Sequence, residues 1–195
     1  DDSARARVGQ ALYLLGDIPA HAVQLTNEWQ AHDPLYLRDW ILAAVAECDR
    51  QGVTCIPVVF NPGTPPLEWL ETLRPAFRAI RTSGHYLGMN LYPVYGYKLA
   101  TLNAFPLWTT YRYRLLAERL GPDMPPVWVT EAAEGRGESP PDVADMAAFA
   151  CSTYGELAAV NFWYIGMRLA HWSDATLHGH ARAWAVAVVN KLNGG

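Results

Sequence analysis

The chain has 195 residues, of which 51% are hydrophobic and 17% charged, and this composition excludes a largely disordered protein. The net charge of −4 is spread along the sequence without acidic or basic blocks, so we expect neither nucleic acid nor an anionic membrane as a partner. No apolar run approaches the roughly 20 residues of a membrane span, and the first residues resemble neither a signal nor a transit peptide. The sequence predicts a soluble domain and leaves its compartment, secreted or cytoplasmic, open.

Strand-like and helix-like patterns alternate along the chain, which begins with a helical pattern over 3–17. Five β-branched or apolar runs lack polar alternation, as is typical of strands buried on both faces. These predicted strands cover 22–28, 54–60, 86–92, 126–131 and 158–165. A helical pattern follows each strand, and several of these patterns end at Gly. The predicted helices cover 34–52, 66–84, 103–121, 141–157 and 180–193.

The connections between these elements differ in length at the two ends of the strands. Helix-to-strand connections are short, whereas strand-to-helix connections such as 93–105 and 166–179 are long and rich in Pro, Gly and aromatics. We therefore place function at the carboxyl ends of the strands. Strand starts recur at about the spacing of roughly 31 residues per unit in a (β/α)8 barrel. The sequence thus predicts the α/β class and the later part of a TIM barrel, lacking roughly 80 residues on its N-terminal side.

Another architecture fits the same alternation of elements. An open doubly wound sheet needs no missing strands, but it normally carries a Gly-rich phosphate loop, and the sequence has none. We therefore treat residues 1–195 as a single, N-terminally truncated barrel domain.

The three cysteines, Cys48, Cys55 and Cys151, form a sparse and odd-numbered set without a C-x-x-C pair. This argues against a disulfide framework and against a structural zinc site, and it favours buried thiols. A bridge between Cys48 and Cys55 stays open, because the two residues flank a tight turn whose geometry the sequence does not fix.

Two predicted strands end in a carboxylate. The first ends in "TNE", which places Glu28 at its carboxyl end, and the fourth ends in "VTE", which places Glu131 there. A Glu at a strand end is more often a solvated residue or a helix-cap partner than a catalyst, but two that converge on one rim form a more specific pattern. Cleavage of a glycosidic bond requires such a pair of carboxyl groups.

The motifs "TNEW", "LGMNLYP" and "VTEAAEG", in this order, resemble those of the large clan of retaining glycoside hydrolases on (β/α)8 barrels. The resemblance implies that strands 4 to 8 are present and strands 1 to 3 absent, with Glu28 as acid/base on strand 4 and Glu131 as nucleophile on strand 7. It implies that Asn27 holds the sugar 2-hydroxyl. It further implies a role in the sugar site for Asn90, Tyr92 and Trp163.

Aromatic character adds Trp29 to these candidate substrate-binding residues, since an amphipathic ring can stack on a pyranose. The retaining mechanism predicts that the carboxyl groups of Glu28 and Glu131 lie about 5–5.5 Å apart. Asn27 and Glu28, as neighbours on a regular strand, would point to opposite faces. We therefore expect the strand to bulge or lose its pleat there. No cofactor is expected.

Two further functions stay open. The first is a non-catalytic carbohydrate-binding protein or inactive barrel fragment, which keeps the cleft without turnover. The second is a metal-dependent barrel hydrolase, for which "HWSDATLHGH" offers four candidate ligands, but they lie within one loop and helix start without H-E-x-x-H spacing. These candidate ligands are His171, Asp174, His178 and His180.

A barrel with five of its eight strands would leave two sheet edges open, at 22–28 and 158–165. We therefore expect self-association through these edges and little hydrolysis by this segment alone.

Overall fold

The computed structural model describes residues 1–16, 20–29, 32–92, 109–132, 148–149, 151–153 and 155–162. Within them, the α-helices are α1 (Asp2–Leu15), α2 (Pro34–Gln51), α3 (Leu70–Thr82) and α4 (Arg112–Leu120). The strands are β1 (Val23–Gln24), β2 (Cys55–Ile56), β3 (Val59–Phe60), β4 (Leu87–Leu91), β5 (Val127–Ala132) and β6 (Ala159–Phe162). Short 3-10 turns precede α3 and follow α4, at Leu67–Trp69 and Gly121–Asp123.

Local signals explain the limits of α2. The Asp33 side chain accepts a hydrogen bond from the Leu35 amide at 2.9 Å, Pro34 occupies the first helical position, and Gly52 ends the helix at φ 68°. These are the preferred residues for a helix start and a left-handed cap. The predicted helix over 34–52 is therefore confirmed. The predicted helix over 180–193 lies outside the described residues, as does most of the one over 141–157.

The prediction of one strand over 54–60 is wrong. Two short strands, β2 and β3, replace it, separated by Pro57 and Val58. The reason is that Pro57 lacks an N–H group and interrupts the ladder of hydrogen bonds. The first predicted strand, 22–28, is likewise regular only over Val23–Gln24.

All strand pairs in the described residues are parallel and join elements in chain order. β1 pairs with β2, and β3 to β6 form a second sheet in the order β3-β4-β5-β6. α2, α3 and α4 provide the crossover connections that parallel strands require. The α/β class is confirmed.

The sheet is strongly curved. The rings of His21, just before β1, and Trp128, in β5, have centroids 5.9 Å apart. β2 and β3 are consecutive parts of the segment 55–60, which borders β4 along its length, so β5 is the third strand position from β1. In a flat sheet, strands three positions apart are separated by about 14 Å. His21 Nε2 also lies 3.0 Å from the hydroxyl of Tyr86, just before β4. The sheet face that carries these rings therefore curls toward itself.

The opposite face of the sheet packs against the helices. Phe60 of β3 meets Phe77 of α3 edge to face at 6.2 Å, and Leu87, Met89 and Leu91 of β4 are all buried. Cys48 and Cys55 are buried free thiols. Buried thiols are thus confirmed for this pair, whereas Cys151 is half-buried.

His85 is also buried, and its Nδ1 accepts a hydrogen bond from the Cys55 amide at 3.3 Å. Among the described helices, none has the length and hydropathy of a membrane-crossing segment.

Gly88 of β4 lies where strands approach closely. A Cβ at this position would lie 2.6 Å from Val59 Cγ2, 2.7 Å from Ile56 Cγ2 and 2.9 Å from the Val58 carbonyl oxygen. Gly9 of α1, by contrast, has no atom within 4 Å of a built Cβ.

We expect Gly88→Ala to lower the free energy of unfolding by about 1–3 kcal/mol, since overpacking shifts β2 and β3 against β4. The matched change Gly9→Ala should raise it by about 0.5–1 kcal/mol through helix propensity. Urea unfolding of both variants measures the difference. Equal stabilities would contradict the close packing at Gly88.

Candidate active site

A β-bulge in β5 sets the positions of the polar side chains on the curled face. Met89 pairs with Val129, but the next residue of β4, Asn90, pairs with Glu131, so Thr130 is an extra residue in β5. The pairing of β5 with β6 shifts its register over the same stretch, between Val129 and Ala132. Paired residues of neighbouring strands share a face, so the bulge turns Glu131 to the face of Asn90.

Two side chains of the segment 90–92 each contact one of the predicted carboxylates. Asn90 Nδ2 donates a hydrogen bond to Glu28 Oε1 at 3.2 Å. The Tyr92 hydroxyl donates a short hydrogen bond to Glu131 Oε2. Residues two apart on a strand point to the same face. Glu28 and Glu131 are therefore held on one face, by neighbouring positions at the carboxyl end of β4.

Thr130 fixes the orientation of the Asn90 amide. Asn90 is completely buried, and its Oδ1 accepts a hydrogen bond from Thr130 Oγ1 at 2.7 Å. With its oxygen engaged in this way, the amide must present its N–H group to Glu28. The sequence analysis missed Thr130, because only the pairing of β4 with β5 reveals its role.

The chain after β1 leaves the regular pleat as expected. Thr26 Oγ1 donates to the Pro57 carbonyl at 3.2 Å, and the Trp29 amide donates to the Val59 carbonyl at 3.1 Å. Between them, Glu28 has φ 49° and is the one non-glycine residue with positive φ among those described. This conformation costs an L-residue roughly 1–2 kcal/mol, so the turn holds Glu28 in a strained position.

The carboxylates act together on Tyr92. Burial raises the pKa of Tyr92 above its ordinary value, and so do its hydrogen bond to Glu131 and the negative charges of Glu131 and Glu28. A neutral phenol next to two carboxylates can donate a hydrogen bond but resists ionisation.

The remaining candidates fall into two groups. Asn27 is exposed and its Oδ1 lies 3.5 Å from Gln24 Nε2, and the half-buried Trp29 packs against Trp40 with ring centroids 4.6 Å apart. Trp163 and the four candidate metal ligands of 171–180 lie outside the described residues. Within the described part of the chain, no three His, Cys, Asp or Glu side chains form a cluster that could hold a metal ion.

Comparisons of this chain with protein-family models, with curated proteins and with solved structures gave no match.

We expect the phenol of Tyr92 to titrate above about pH 10, the usual tyrosine value. Glu131→Gln should lower the pKa of Tyr92 more than Glu28→Gln does, because the first change replaces the charged acceptor of the Tyr92 hydrogen bond with a neutral amide, whereas the second removes a charge that acts on Tyr92 without a hydrogen bond. Subtracting the tyrosinate absorbance of Tyr92→Phe isolates this group.

The exposed Glu118 of α4 provides a control, since Glu118→Gln should leave this titration unchanged. Because the pKa of Tyr92 is higher in the folded than in the unfolded chain, protonated Tyr92 adds to the free energy of unfolding. This contribution is complete below about pH 10 and is lost as the pH rises further. A titration that neither Glu28→Gln nor Glu131→Gln moves would contradict the shared site.

Proposed function

We propose that this chain carries the catalytic centre of a retaining glycoside hydrolase, with Glu28 as acid/base and Glu131 as nucleophile. The proposal rests on two hydrogen bonds that the segment 90–92 makes. Asn90 binds Glu28 and Tyr92 binds Glu131, which gathers two carboxyl groups on one sheet face. Two carboxyl groups on the two sides of a glycosidic bond are what this reaction requires.

The contacts suit different roles for the two groups. Tyr92 engages Oε2 of Glu131 and leaves Oε1 for attack on the anomeric carbon. Glu28 protonates the leaving oxygen in this first step and then, as a base, activates the water that releases the sugar. Asn90 is completely buried, so we assign it to positioning Glu28 rather than to direct sugar contact.

The arrangement of the strands supports a (β/α)8 barrel as the scaffold. Doubly wound sheets reverse their strand order at a switch point, whereas the strands in the described residues pair in chain order. The curvature that brings His21 to Trp128 is also what closure of a barrel needs. In this proposal β1 is strand 4, β2 and β3 are the halves of strand 5, and β4, β5 and β6 are strands 6, 7 and 8.

Backbone strain at Glu28 is a further support. Strained non-glycine residues cluster at functional sites, where the surrounding structure holds a side chain in place. Glu28 has such a conformation, and the amide of the next residue, Trp29, is bonded to β3.

A carbohydrate-binding protein without turnover is the second candidate. In the described residues β1 pairs with β2 alone, so its other edge has no strand partner there. Such a protein would bind the same sugars through the same face but would not cleave them.

Hydrolysis of aryl glycosides by the natural polypeptide that contains this chain tests the proposal. We expect Glu131→Gln to reduce kcat by on the order of 10³-fold or more, because it removes the nucleophile. Glu28→Gln should slow substrates with poor leaving groups most, because these need the acid. The exposed-site variant Glu118→Gln should keep full activity.

Stereochemistry distinguishes the mechanism. NMR observation of the first-formed sugar should show the same anomeric configuration as the substrate, because two displacements retain it. Inversion would exclude Glu131 as the nucleophile. Sugar binding without hydrolysis would establish the second candidate in place of the enzyme.

A further inference from the structure

A pocket of about 460 Å³ lies beside Glu28, between α1, α2 and the turn that follows β1. Arg7 of α1, Tyr36 and Trp40 of α2, and Glu28 of the turn contribute to its lining. Asn90, Tyr92 and Glu131 do not, so Glu28 belongs both to this pocket and to the carboxylate pair. We refer to it as the aromatic pocket.

The aromatic pocket is lined by one buried and one exposed aromatic ring of α2. Trp40 is 3% exposed, and Trp29 packs on it with ring centroids 4.6 Å apart. The ring centroids of Tyr36 and Trp29 are 6.4 Å apart, but Tyr36 remains 49% exposed. Packing between α2 and the turn explains Trp40 and the inner side of Trp29. It does not explain an aromatic ring that stays half in solvent.

Polar groups surround these rings. Arg7 Nε donates to the Leu25 carbonyl at 2.7 Å, which fixes the guanidinium at the edge of the aromatic pocket. Asn27 and Glu28 are both exposed and belong to the same lining. Aromatic faces bordered by an amide, a carboxylate and a guanidinium can bind a pyranose, whose C–H face is apolar and whose rim carries hydroxyl groups.

We propose that the aromatic pocket binds the leaving-group sugar of a substrate whose pyranose hydroxyls are equatorial, with the ring against Tyr36 and Trp29. This inference rests on the proposed function, since an acid must face the oxygen of the leaving group and Glu28 is that acid. Equatorial hydroxyls leave both faces of the ring apolar, which suits stacking, and they direct the polar edge toward Asn27 and Arg7.

The test measures binding of cellotriose and xylotriose by saturation-transfer NMR and by tryptophan fluorescence. It uses the natural polypeptide in the Glu131→Gln background, where the sugar is not consumed. Tyr36→Ala should weaken binding by roughly three- to tenfold, as expected for the loss of one aromatic contact. Trp29→Phe should weaken it and reduce the fluorescence change. Tyr13→Ala, at an aromatic residue of α1 that is 86% exposed and outside the pocket lining, is the matched control and should bind normally.

The outcomes separate this inference from the proposed function. Binding that depends on Tyr36, in a protein that hydrolyses no glycoside, would overturn the enzyme and leave the aromatic pocket as a sugar site. If the protein hydrolyses glycosides and Tyr36→Ala changes neither KM nor sugar binding, the assignment of the aromatic pocket as a sugar site is overturned and the proposed function stands. Absence of saturable binding of both sugars at millimolar concentration would also overturn it.

Discussion

One extra residue in β5 determines the chemistry available on the curled face of the sheet. Without Thr130 as a bulge, Glu131 would pair with Leu91 and turn toward the helices, where a carboxylate would be buried among apolar side chains. With the bulge, Glu131 shares a face with Asn90. The same residue then supplies the hydroxyl that orients Asn90 toward Glu28. The bulge thus sets the face of Glu131 and, through Asn90, supports the hydrogen bond to Glu28, whose own position is set by the turn after β1.

Close strand packing supports this arrangement. Gly88 lets Val59 and Ile56 approach β4, so the lower part of the curled face is filled by apolar atoms and leaves no room for a side chain at this position. Above it, Asn90 begins the polar part of the face. The curled face of β4 therefore changes from apolar packing at Gly88 to hydrogen bonding at Asn90, two residues later. This change is expected where the carboxyl ends of parallel strands form a site.

Helix limits could be predicted from the sequence wherever a local signal fixes them, as Asp33, Pro34 and Gly52 do for α2. The alternation of strands and helices could also be predicted, because strands buried on both faces appear in the sequence as continuous apolar runs. Pro57 is also a local signal in the sequence. Whether it interrupts a strand depends on which backbone N–H groups donate to the neighbouring strand, and this follows from the pairing. The resemblance implied a role for Tyr92 in the site, but the bulge at Thr130 is set by pairing with residues some 40 positions away, which no local pattern encodes.

The left-handed backbone of Glu28 has a consequence for how this chain could change over time. A glycine would relax the turn at that position, so random substitution there offers a gain in thermodynamic stability at the cost of the carboxylate. Selection for folding alone would therefore act to remove Glu28. Under the proposed function, stability and activity therefore oppose each other at Glu28, because the glycine that would relax the turn would also remove the acid/base.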